Sequence, residues 1–389
     1  MDIVAVIGDG QLARMMQTAA IELGQSIRVL AATPAASAAQ VTADVQLGDY
    51  TSYDDLIVAA QGADAITFDH EHVPNEHLQK LIDAGYNVQP QPSALIYAQD
   101  KLEMRRKLES IGAPVPAYAA IETVEDARAF AEHVDGRVCL KARRGGYDGH
   151  GVWFPEGPEK AVAQAKELLD NGVPLMAEEK IAFRRELSAL VARTPSGEVR
   201  AWPLAESVQS GGICVEAIAP VPSMSPEARA SAEELAVKIA TELGVTGVLA
   251  VELFEDADGN GSVNELAMRP HNTGHWTQDG SVTSQFEQHL RAVLDYPLGA
   301  TDLTSPVTVM ANTLGGETSP GMPVRERCRE VWKRFPQVKI HLYGKEYRAG
   351  RKLGHVNVSG DDVEETRRVA ALASGFIVDA QWADGYEGK

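Results

Sequence analysis

The segment Lys141-Ala142-Arg143-Arg144-Gly145-Gly146-Tyr147-Asp148-Gly149-His150-Gly151 is a glycine-rich loop that opens with a lysine. It follows a short apolar run, Val138 to Leu140, which predicts a strand. The glycines allow the backbone to come close to a polyphosphate, and the lysine and two arginines supply the charge that an anionic ligand needs. The spacing matches neither the nucleotide-triphosphate P-loop nor a dinucleotide fingerprint. It therefore predicts an ATP site of a different fold, with a solvated turn as the alternative.

The overall charge restricts the partners of the protein. The 389 residues carry 36 basic and 55 acidic side chains, which gives a formal net charge of −19. Such a surface repels nucleic acid and anionic membranes, so a small anionic ligand needs a locally basic pocket. The three cysteines are far apart and predict neither a disulfide framework nor a zinc site. No apolar run approaches the ~20 residues that span a membrane, and we expect a cytoplasmic protein that is neither exported nor inserted.

A basic cluster between Arg325 and Lys352 is the exception to this acidic composition. It contains ten basic residues against three acids. The cluster is either a site for a phosphate group or a solvated basic face. Its basic members are Arg325, Arg327, Arg329, Lys333, Arg334, Lys339, Lys345, Arg348, Arg351 and Lys352.

The N-terminus predicts a β-α-β unit of a parallel sheet. The apolar run Ile3 to Ile7 suits a buried strand, and it is followed by Gly8-Asp9-Gly10, a helical pattern from Gln11 to Leu23 and a second strand, Ile27 to Leu30. The glycines match a loose dinucleotide fingerprint. However, the second strand runs into Ala31-Ala32-Thr33-Pro34, where an acidic residue should bind the ribose hydroxyls. An NAD site is therefore a minor alternative.

Further β-α alternation follows, with a polar cluster at the end of one strand. Thr51 is predicted to cap a helix from Tyr53 to Ala60, and the strand Ala65 to Phe68 leads into Asp69-His70-Glu71-His72. Carboxylates and histidines at the carboxyl end of a strand lie where open α/β sheets bind ligands, although they also suit a cap for the next helix. A long helix from about Ser93 to Ser110 is predicted at the exit from this first domain.

The middle of the chain predicts a β-α-β piece, Val115 to about Ile181, that carries the glycine-rich loop, and later a hairpin that brings two glutamates together. The strands Val248 to Phe254 and Ser262 to Leu266 are joined by a turn at Asp256 to Gly261, and a helix from Pro226 to Gly244 precedes them. Glu252 and Glu265 then converge across the hairpin. Carboxylates beside a phosphate-binding loop suit Mg²⁺, which takes carboxylate and phosphate oxygens.

Four motifs resemble the ATP-grasp superfamily and, within it, the 5-(carboxyamino)imidazole ribonucleotide synthase family, over nearly the whole chain. They are Gly8-Asp9-Gly10-Gln11-Leu12-Ala13-Arg14-Met15; Gly145 to Gly151; Asn264-Glu265 with Arg269-Pro270-His271-Asn272-Thr273-Gly274-His275-Trp276-Thr277; and Leu342-Tyr343-Gly344-Lys345 with Arg351-Lys352-Leu353-Gly354-His355. The segments with His-Trp-Thr and Tyr-Gly-Lys are the most specific.

The resemblance implies an α/β and α+β chain with an ATP-grasp fold. The expected domains are an N-terminal Rossmann-like preATP-grasp domain (1–95), an ATP-grasp domain (96–297, with a small lid subdomain at about 115–180) and a small β-rich C-terminal domain (298–389). The implied reaction joins bicarbonate to the exocyclic amine of 5-aminoimidazole ribonucleotide, with ATP, through carboxyphosphate. A cytoplasmic homodimer of purine biosynthesis is expected.

The resemblance also implies the site residues. The ATP-binding set is Lys101, Lys141, Gly146, Tyr147, Asp148, Gly149, His150, Gly151, Val152, Glu178, Glu179, Lys180, Ile181, Glu186, Gln209, Asn264 and Glu265. The implied metal ligands are Glu252 and Glu265, for Mg²⁺ or alternatively Mn²⁺. The implied catalytic residues are Tyr147, Asp148, Arg269, His271 and Lys345, and the implied substrate-binding residues are Gly10, Gln11, Leu12, Glu71, Asn272, Lys345, Arg351 and Lys352.

Three positions depart from the family pattern. Lys101 stands where the family often has an arginine, which keeps the charge and loses the bidentate fork. Gln209 replaces a histidine on the adenine side, and Asp69 replaces a glutamate. The rival interpretations are a formate-dependent glycinamide ribonucleotide transformylase and a nucleotide-binding sensor without catalysis.

Overall fold

The structure is a computed structural model, and it describes residues 1–145 and 151–387. Gly146 to His150 of the glycine-rich segment lie outside the described residues, so the roles predicted for them stay predictions. The described chain forms three sheets, which are numbered below in chain order and have four, four and nine strands. None of the helices in this part of the chain is long and apolar enough to cross a membrane.

The first sheet is parallel, with the order β3-β2-β1-β4. Its central strand is fully buried from Val4 to Ile7, which is why it appears in the sequence as a continuous apolar run. The predicted β-α-β unit is therefore confirmed. The elements are β1 (Ile3–Ile7), α1 (Gln11–Glu22), β2 (Ser26–Ala31), β3 (Asp44–Leu47), α2 (Tyr53–Ala60), β4 (Ala65–Phe68) and α3 (Asn75–Asp83).

The helix cap predicted at Thr51 is wrong by one residue. Ser52 is the N-cap of α2, and its hydroxyl accepts a hydrogen bond from the backbone N–H of Asp55 at 3.4 Å. The Thr51 hydroxyl instead donates to the side chain of Asp49 at 2.8 Å. Both residue types suit an N-cap, so the sequence alone did not separate them.

The single long helix predicted from Ser93 to Ser110 is also wrong. The chain forms α4 (Pro92–Gln99) and α5 (Lys101–Ser110), separated by Asp100 in an extended conformation. The Asp100 side chain accepts hydrogen bonds from the backbone N–H groups of Leu102 and Glu103, which begins a new helix at Lys101.

The second sheet is antiparallel, with the order β5-β8-β6-β7, unlike the β-α-β piece predicted between Val115 and Ile181. Two helices pack on each other and share one apolar core with it. The glycine-rich segment joins two neighbouring strands of this sheet. The elements are β5 (Tyr118–Ile121), α6 (Val124–His133), β6 (Val138–Ala142), β7 (Val152–Trp153), α7 (Pro158–Asp170) and β8 (Leu175–Glu179).

The third sheet has nine strands and runs from the predicted hairpin into the C-terminal region, in the order β14-β13-β9-β11-β12-β15-β17-β16, with β10 paired to β9. The predicted hairpin and the helix before it are both present. The elements are β9 (Arg185–Arg193), β10 (Val199–Ala201), β11 (Ala205–Ser210), β12 (Ile213–Ala219), α8 (Pro226–Glu242), β13 (Gly247–Glu255), β14 (Gly261–Ala267), α9 (Thr277–Gly280), α10 (Gln285–Val293), β15 (Val307–Leu314), α11 (Val324–Arg334), β16 (Lys339–Leu342), β17 (Lys352–Gly360) and α12 (Val363–Asp379).

Candidate active site

A cavity of about 1280 Å³ lies where the three sheets meet. The end of β4, the stem of the glycine-rich segment and the β13–β14 hairpin all contribute to its wall. Most of the site residues implied by the sequence line it. They are Gly10, Gln11, Leu12, Glu71, Lys101, Lys141, Val152, Glu178, Glu179, Lys180, Ile181, Glu186, Gln209, Glu252, Asn264, Glu265, Arg269, His271, Asn272 and Lys352.

Glu252 and Glu265 form a cross-strand pair, because they lie opposite each other in the β13–β14 register. Directly opposed side chains share one face of a sheet, with Cβ atoms about 5 Å apart. Burial, together with the negative charges of Glu265 and Glu186, raises the pKa of Glu252 to about 8. Burial alone raises the pKa of Glu186 to about 7. The positive charges of Arg269 and Lys352 offset this rise in the pKa of Glu252 only in part.

This donor set fits Mg²⁺ in the presence of a nucleotide. Mg²⁺ is usually held by one or two carboxylates and by substrate phosphates, with water completing the octahedron. No group of three or more histidine, cysteine, aspartate or glutamate side chains in residues 1–145 and 151–387 could hold a metal ion. The two glutamates thus suit a metal that a polyphosphate brings in, rather than one held in a closed protein cage.

Lys101 balances the other carboxylate of the pair. Its Nζ donates to Glu265 Oε1 at 2.8 Å, and the Glu265 side chain is 43% exposed. Burial opposes the ionisation of Glu265, but the charge of Lys101 prevails and holds the pKa of that carboxyl below its usual value. Glu265 is therefore ionised and open to the cavity.

A buried trio of charges supports Lys141. Its Nζ lies 2.7 Å from Glu178 Oε2, and Glu178 Oε1 accepts a hydrogen bond from Arg105 Nε at 2.8 Å. Burial opposes ionisation here too, but the two cations lower the pKa of Glu178 to about 2. Arg105 is fully buried and also donates to the backbone carbonyl of Asn264 at 2.6 Å. Sequence reasoning missed Arg105, which ties α5 and the second sheet to the strand that carries Glu265.

Arg269 joins the first sheet to the third. Its Nε donates to Glu71 Oε2 at 2.9 Å, and the Glu71 carboxylate, supported by Asp69, raises the pKa of Arg269 despite burial. Asp69 itself accepts a hydrogen bond from the backbone N–H of Gly10 at 2.6 Å, while burial raises its pKa to about 6. The predicted cluster at the end of β4 thus faces the cavity and contacts Arg269.

His271 is a neutral group at the centre of the site. Burial, together with the charge of Arg269, lowers its pKa to about 3. Its Nδ1 is hydrogen-bonded to the Thr273 hydroxyl at 2.8 Å, and its Nε2 lies 3.5 Å from Glu252 Oε1. The buried amide of Gln285 accepts from the His271 N–H and donates to the His271 carbonyl, both at 2.8 Å. Gln285 is a second residue that sequence reasoning missed.

The C-terminal basic cluster divides into two parts. Lys345 donates through Nζ to Gln11 Oε1, and Lys352 lines the cavity. Burial, together with the nearby charge of Arg351, lowers the pKa of Lys345 to about 8. Other members are engaged elsewhere: Arg327 donates to backbone carbonyls at the end of α12, and Arg334 stacks on Trp382 and pairs with Asp384. The phosphate role predicted for Lys345 and Arg351 therefore concerns only part of the cluster.

Sequence models of three protein families match consecutive parts of the chain. They are the ribonucleotide synthetase preATP-grasp domain (residues 1–99), the ATP-grasp domain (residues 106–286) and the phosphoribosylaminoimidazole carboxylase C-terminal domain (residues 308–369).

Relatives match over nine tenths of the chain or more. An N5-carboxyaminoimidazole ribonucleotide synthase of Corynebacterium ammoniagenes is 62% identical, covering 100% of this chain and 95% of that protein. The enzyme of the same name from Bacillus subtilis is 37% identical, covering 91% of this chain and 90% of its own. A crystal structure of N5-carboxyaminoimidazole synthase from Aspergillus clavatus, in complex with ADP and 5-aminoimidazole ribonucleotide, superposes with a TM-score of 0.86 at 28% identity, covering 98% of this chain and 99% of that one.

Proposed function

The chain belongs to the N5-carboxyaminoimidazole ribonucleotide synthase family of ATP-grasp ligases, and from this premise we propose its substrates, its residue roles and its assembly. It uses ATP and bicarbonate to carboxylate the exocyclic amine of 5-aminoimidazole ribonucleotide, in purine biosynthesis. The products are N5-carboxyaminoimidazole ribonucleotide, ADP and phosphate. The observation that carries the proposal is one cavity lined by cations for a triphosphate, a carboxylate pair for a metal and Arg269 for an anion.

The nucleotide occupies the part of the cavity between the second and third sheets. Lys141 and Lys101 neutralise the phosphates, while Glu178 to Ile181 face the adenine and Glu186 takes the ribose hydroxyls. Glu252 and Glu265 would hold Mg²⁺, or Mn²⁺ in its place, and the bound ion would neutralise charge on the phosphates. The Glu178–Arg105 pair keeps the Lys141 ammonium in position before the nucleotide arrives.

The first chemical step forms carboxyphosphate. A bicarbonate oxygen attacks the γ-phosphorus, and the bond to the ADP oxygen breaks. Arg269 is a fixed guanidinium beside this centre and stabilises the negative charge that develops, since its orientation is set by Glu71 at 2.9 Å. His271 is neutral and offers a hydrogen bond rather than a charge.

The second step transfers the carboxyl group. The exocyclic amine attacks the carbonyl carbon of carboxyphosphate, phosphate leaves, and the amine loses a proton to a base. We assign Tyr147 and Asp148 to the imidazole side of the substrate, with Asp148 as the group that orients or deprotonates the amine; both lie outside the described residues. Glu71 faces the ribose or the amine.

The 5′-phosphate of the ribonucleotide binds at the N-terminus of α1. Lys345 and Arg351 provide its positive charge, and Lys352 and Asn272 complete the substrate side. Gly10 is the N-cap of α1, and its N–H is held by Asp69. The next N–H groups of the first turn, at Gln11 and Leu12, and the helix dipole favour an anion. We propose that the protein acts as a cytoplasmic homodimer. Light scattering measures the mass of the assembly directly.

A coupled ADP-release assay with each substrate omitted in turn tests the function. We expect ADP release that requires bicarbonate, 5-aminoimidazole ribonucleotide and Mg²⁺ together. Turnover with formate in bicarbonate-depleted buffer would identify a glycinamide ribonucleotide transformylase. ATP binding without hydrolysis under every substrate combination would identify a sensor, and binding of NAD in a titration would revive the dinucleotide interpretation.

A further inference from the structure

The loop between β2 and β3 makes two contacts with the segment that carries Lys345. In dinucleotide-binding proteins the end of the second strand places an acidic residue on a ribose. In this chain the Ser37 hydroxyl donates to the backbone carbonyl of Tyr343 at 2.6 Å, and Gln40 Nε2 donates to the carbonyl of Gly344 at 2.9 Å. Two consecutive peptide carbonyls, just before Lys345, are therefore held by the N-terminal domain.

Helix α1 supports these contacts from behind. Arg14 Nη1 donates to the carbonyl of Ser37 at 2.8 Å and to Gln40 Oε1 at 3.4 Å. Gln11 lies one helical turn earlier, and its Oε1 accepts from Lys345 Nζ. The first turn of α1 therefore contacts both the β2–β3 loop, through Arg14, and the ammonium group of Lys345, through Gln11.

The backbone at Gly344 packs closely against the side chains of Gln40 and Arg14. Gly344 has φ +65°, and a Cβ atom there would lie 2.3 Å from Gln40 Oε1 and 2.9 Å from Arg14 Nη1. The Tyr343 ring is 1% exposed and packs in the core of the N-terminal domain, while its hydroxyl is hydrogen-bonded to His355 Nδ1 at 2.7 Å. The backbone on the N-terminal side of Lys345 is therefore determined by residues more than 300 positions away.

We propose that Ser37 and Gln40 are positioning residues for the ribonucleotide phosphate, acting through the Tyr343–Gly344 backbone on Lys345. This inference rests on the proposed role of Lys345 in binding the 5′-phosphate. The loop that lacks a ribose-binding acid holds a substrate-binding segment of the C-terminal region instead. The phosphate subsite is then complete only when the N-terminal and C-terminal regions are docked.

Two variants of the full-length enzyme test the proposal. Ser37→Ala removes the hydroxyl donor, and Gln40→Met keeps the side-chain length without the amide. We expect the KM for 5-aminoimidazole ribonucleotide to rise about tenfold in Ser37→Ala and about threefold in Gln40→Met, as lost hydrogen bonds of this kind predict. The KM for ATP should stay unchanged, while the melting temperature of Ser37→Ala should fall slightly because the buried Tyr343 carbonyl loses its donor. Ser374→Ala, which removes a local hydroxyl bond within α12, is the matched control and should alter neither KM.

A double-mutant cycle with Lys345→Ala separates positioning from a general structural effect. If Ser37 acts through Lys345, Ser37→Ala in the Lys345→Ala background should change the ribonucleotide KM by less than about twofold. A tenfold effect in both backgrounds would overturn the proposal, as would an unchanged KM in Ser37→Ala while Lys345→Ala raises it. If Lys345→Ala itself leaves the KM unchanged, the phosphate assignment fails first, and this inference fails with it.

Discussion

Glu265 is the residue at which the metal side and the nucleotide side of the proposed site meet. It opposes Glu252 across the hairpin and accepts a hydrogen bond from Lys101 at 2.8 Å. Glu265→Gln keeps the shape and an acceptor for Lys101 but removes the negative charge. We expect turnover to fall roughly 1000-fold, because a metal contributes several kcal/mol to such a step.

The thermal unfolding of this variant should match that of the parent protein, since the side chain opens to the cavity rather than filling an apolar core. Steady-state ADP release and a thermal melt check both statements. Glu132→Gln, an exposed substitution on α6, is the control. Full activity in Glu265→Gln would remove this residue from the metal site.

The pKa of Lys345 predicts that the capture of the ribonucleotide, measured as kcat/KM, depends on pH. Burial lowers its pKa to about 8, so the ammonium is present below that pH and is lost as the pH rises through it. A substrate phosphate is already dianionic there, because its second pKa is about 6. The kcat/KM for the ribonucleotide reports groups of the free enzyme, and it should fall about tenfold per pH unit above the pKa.

Lys345→Arg is the informative variant for this profile, because a guanidinium stays protonated throughout the range. The alkaline decline should move to higher pH in Lys345→Arg, while the profile with ATP as the varied substrate stays the same in both proteins. An identical decline in the two proteins would assign it to another group.

Arg105 lies outside the cavity wall, but its replacement should lower the affinity for the nucleotide. Arg105→Met leaves Glu178 buried with one cation instead of two, and breaking such a network costs about 3–5 kcal/mol. We expect a lower melting temperature and a KM for ATP at least about tenfold higher. Arg105→Lys, which can keep one contact, should recover part of both losses.

The neighbouring Arg106 provides the control for this substitution. Its side chain is 54% exposed and pairs only with Glu103 among the described residues. Arg106→Met should therefore change neither the KM for ATP nor the melting temperature by a measurable amount. Equal behaviour of the two methionine variants in a melt and an ATP titration would contradict the supporting role of Arg105.

At the scale of elements, the break between α4 and α5 has a consequence for stability. Asp100 caps α5 and also accepts from Arg143 at 2.9 Å and Arg144 at 3.1 Å, at the base of the glycine-rich segment. Asp100→Ala should destabilise the protein by roughly 3 kcal/mol and raise the KM for ATP, because a buried charge network is lost together with the cap. Asp100→Asn keeps the cap, so its stability and its KM for ATP should lie between those of the parent protein and those of Asp100→Ala.

Urea unfolding can compare the stability lost in Asp100→Ala with the stability lost when an N-cap without such a charge network is removed. Asp362 is the exposed N-cap of α12, and its side chain accepts from the Glu365 N–H at 2.8 Å. Asp362→Ala should cost only about 1 kcal/mol. If both alanine variants lose the same stability, the contacts of Asp100 with the two arginines contribute nothing.

What the sequence predicts at this scale follows from the range of the interactions. The hairpin was predictable because Glu252 and Glu265 lie on strands joined by a short turn, so local alternation determines their convergence. The break at Asp100 was missed because a continuous helical pattern on both sides hid a single capping residue. Arg105 and Ser37 were missed because their partners lie 73 and 306 residues away, and such contacts leave no periodic signal.

At the scale of the whole molecule, the C-terminal region shares a sheet with the ATP-grasp region. Strand β12 pairs with β15, with Glu216 opposite Ala311 and Ala219 opposite Thr308. Ile218 of β12 belongs to the same apolar core as the C-terminal strands and α12. The residues proposed to bind the ribonucleotide phosphate are thus carried on a continuation of the sheet that holds the metal ligands.

This continuity predicts that the two regions stay together when the connection between them is cut. A specific protease site inserted after Ala300, which is exposed, allows cleavage of the purified protein between α10 and β15. The backbone ladder between β12 and β15, the bond from Asn312 Nδ2 to the Cys214 carbonyl at 2.8 Å and the Arg367–Glu216 pair at 2.8 Å should hold the fragments. The two fragments should co-elute in gel filtration and melt in one transition. Their KM for the ribonucleotide should stay within about twofold of the value for the uncut protein. The reason is that strands paired with a partner separate only by losing their hydrogen bonds and apolar contacts. A C-terminal fragment that elutes by itself as a folded species would show that the shared sheet is dispensable, and that the phosphate site depends on the covalent connection alone.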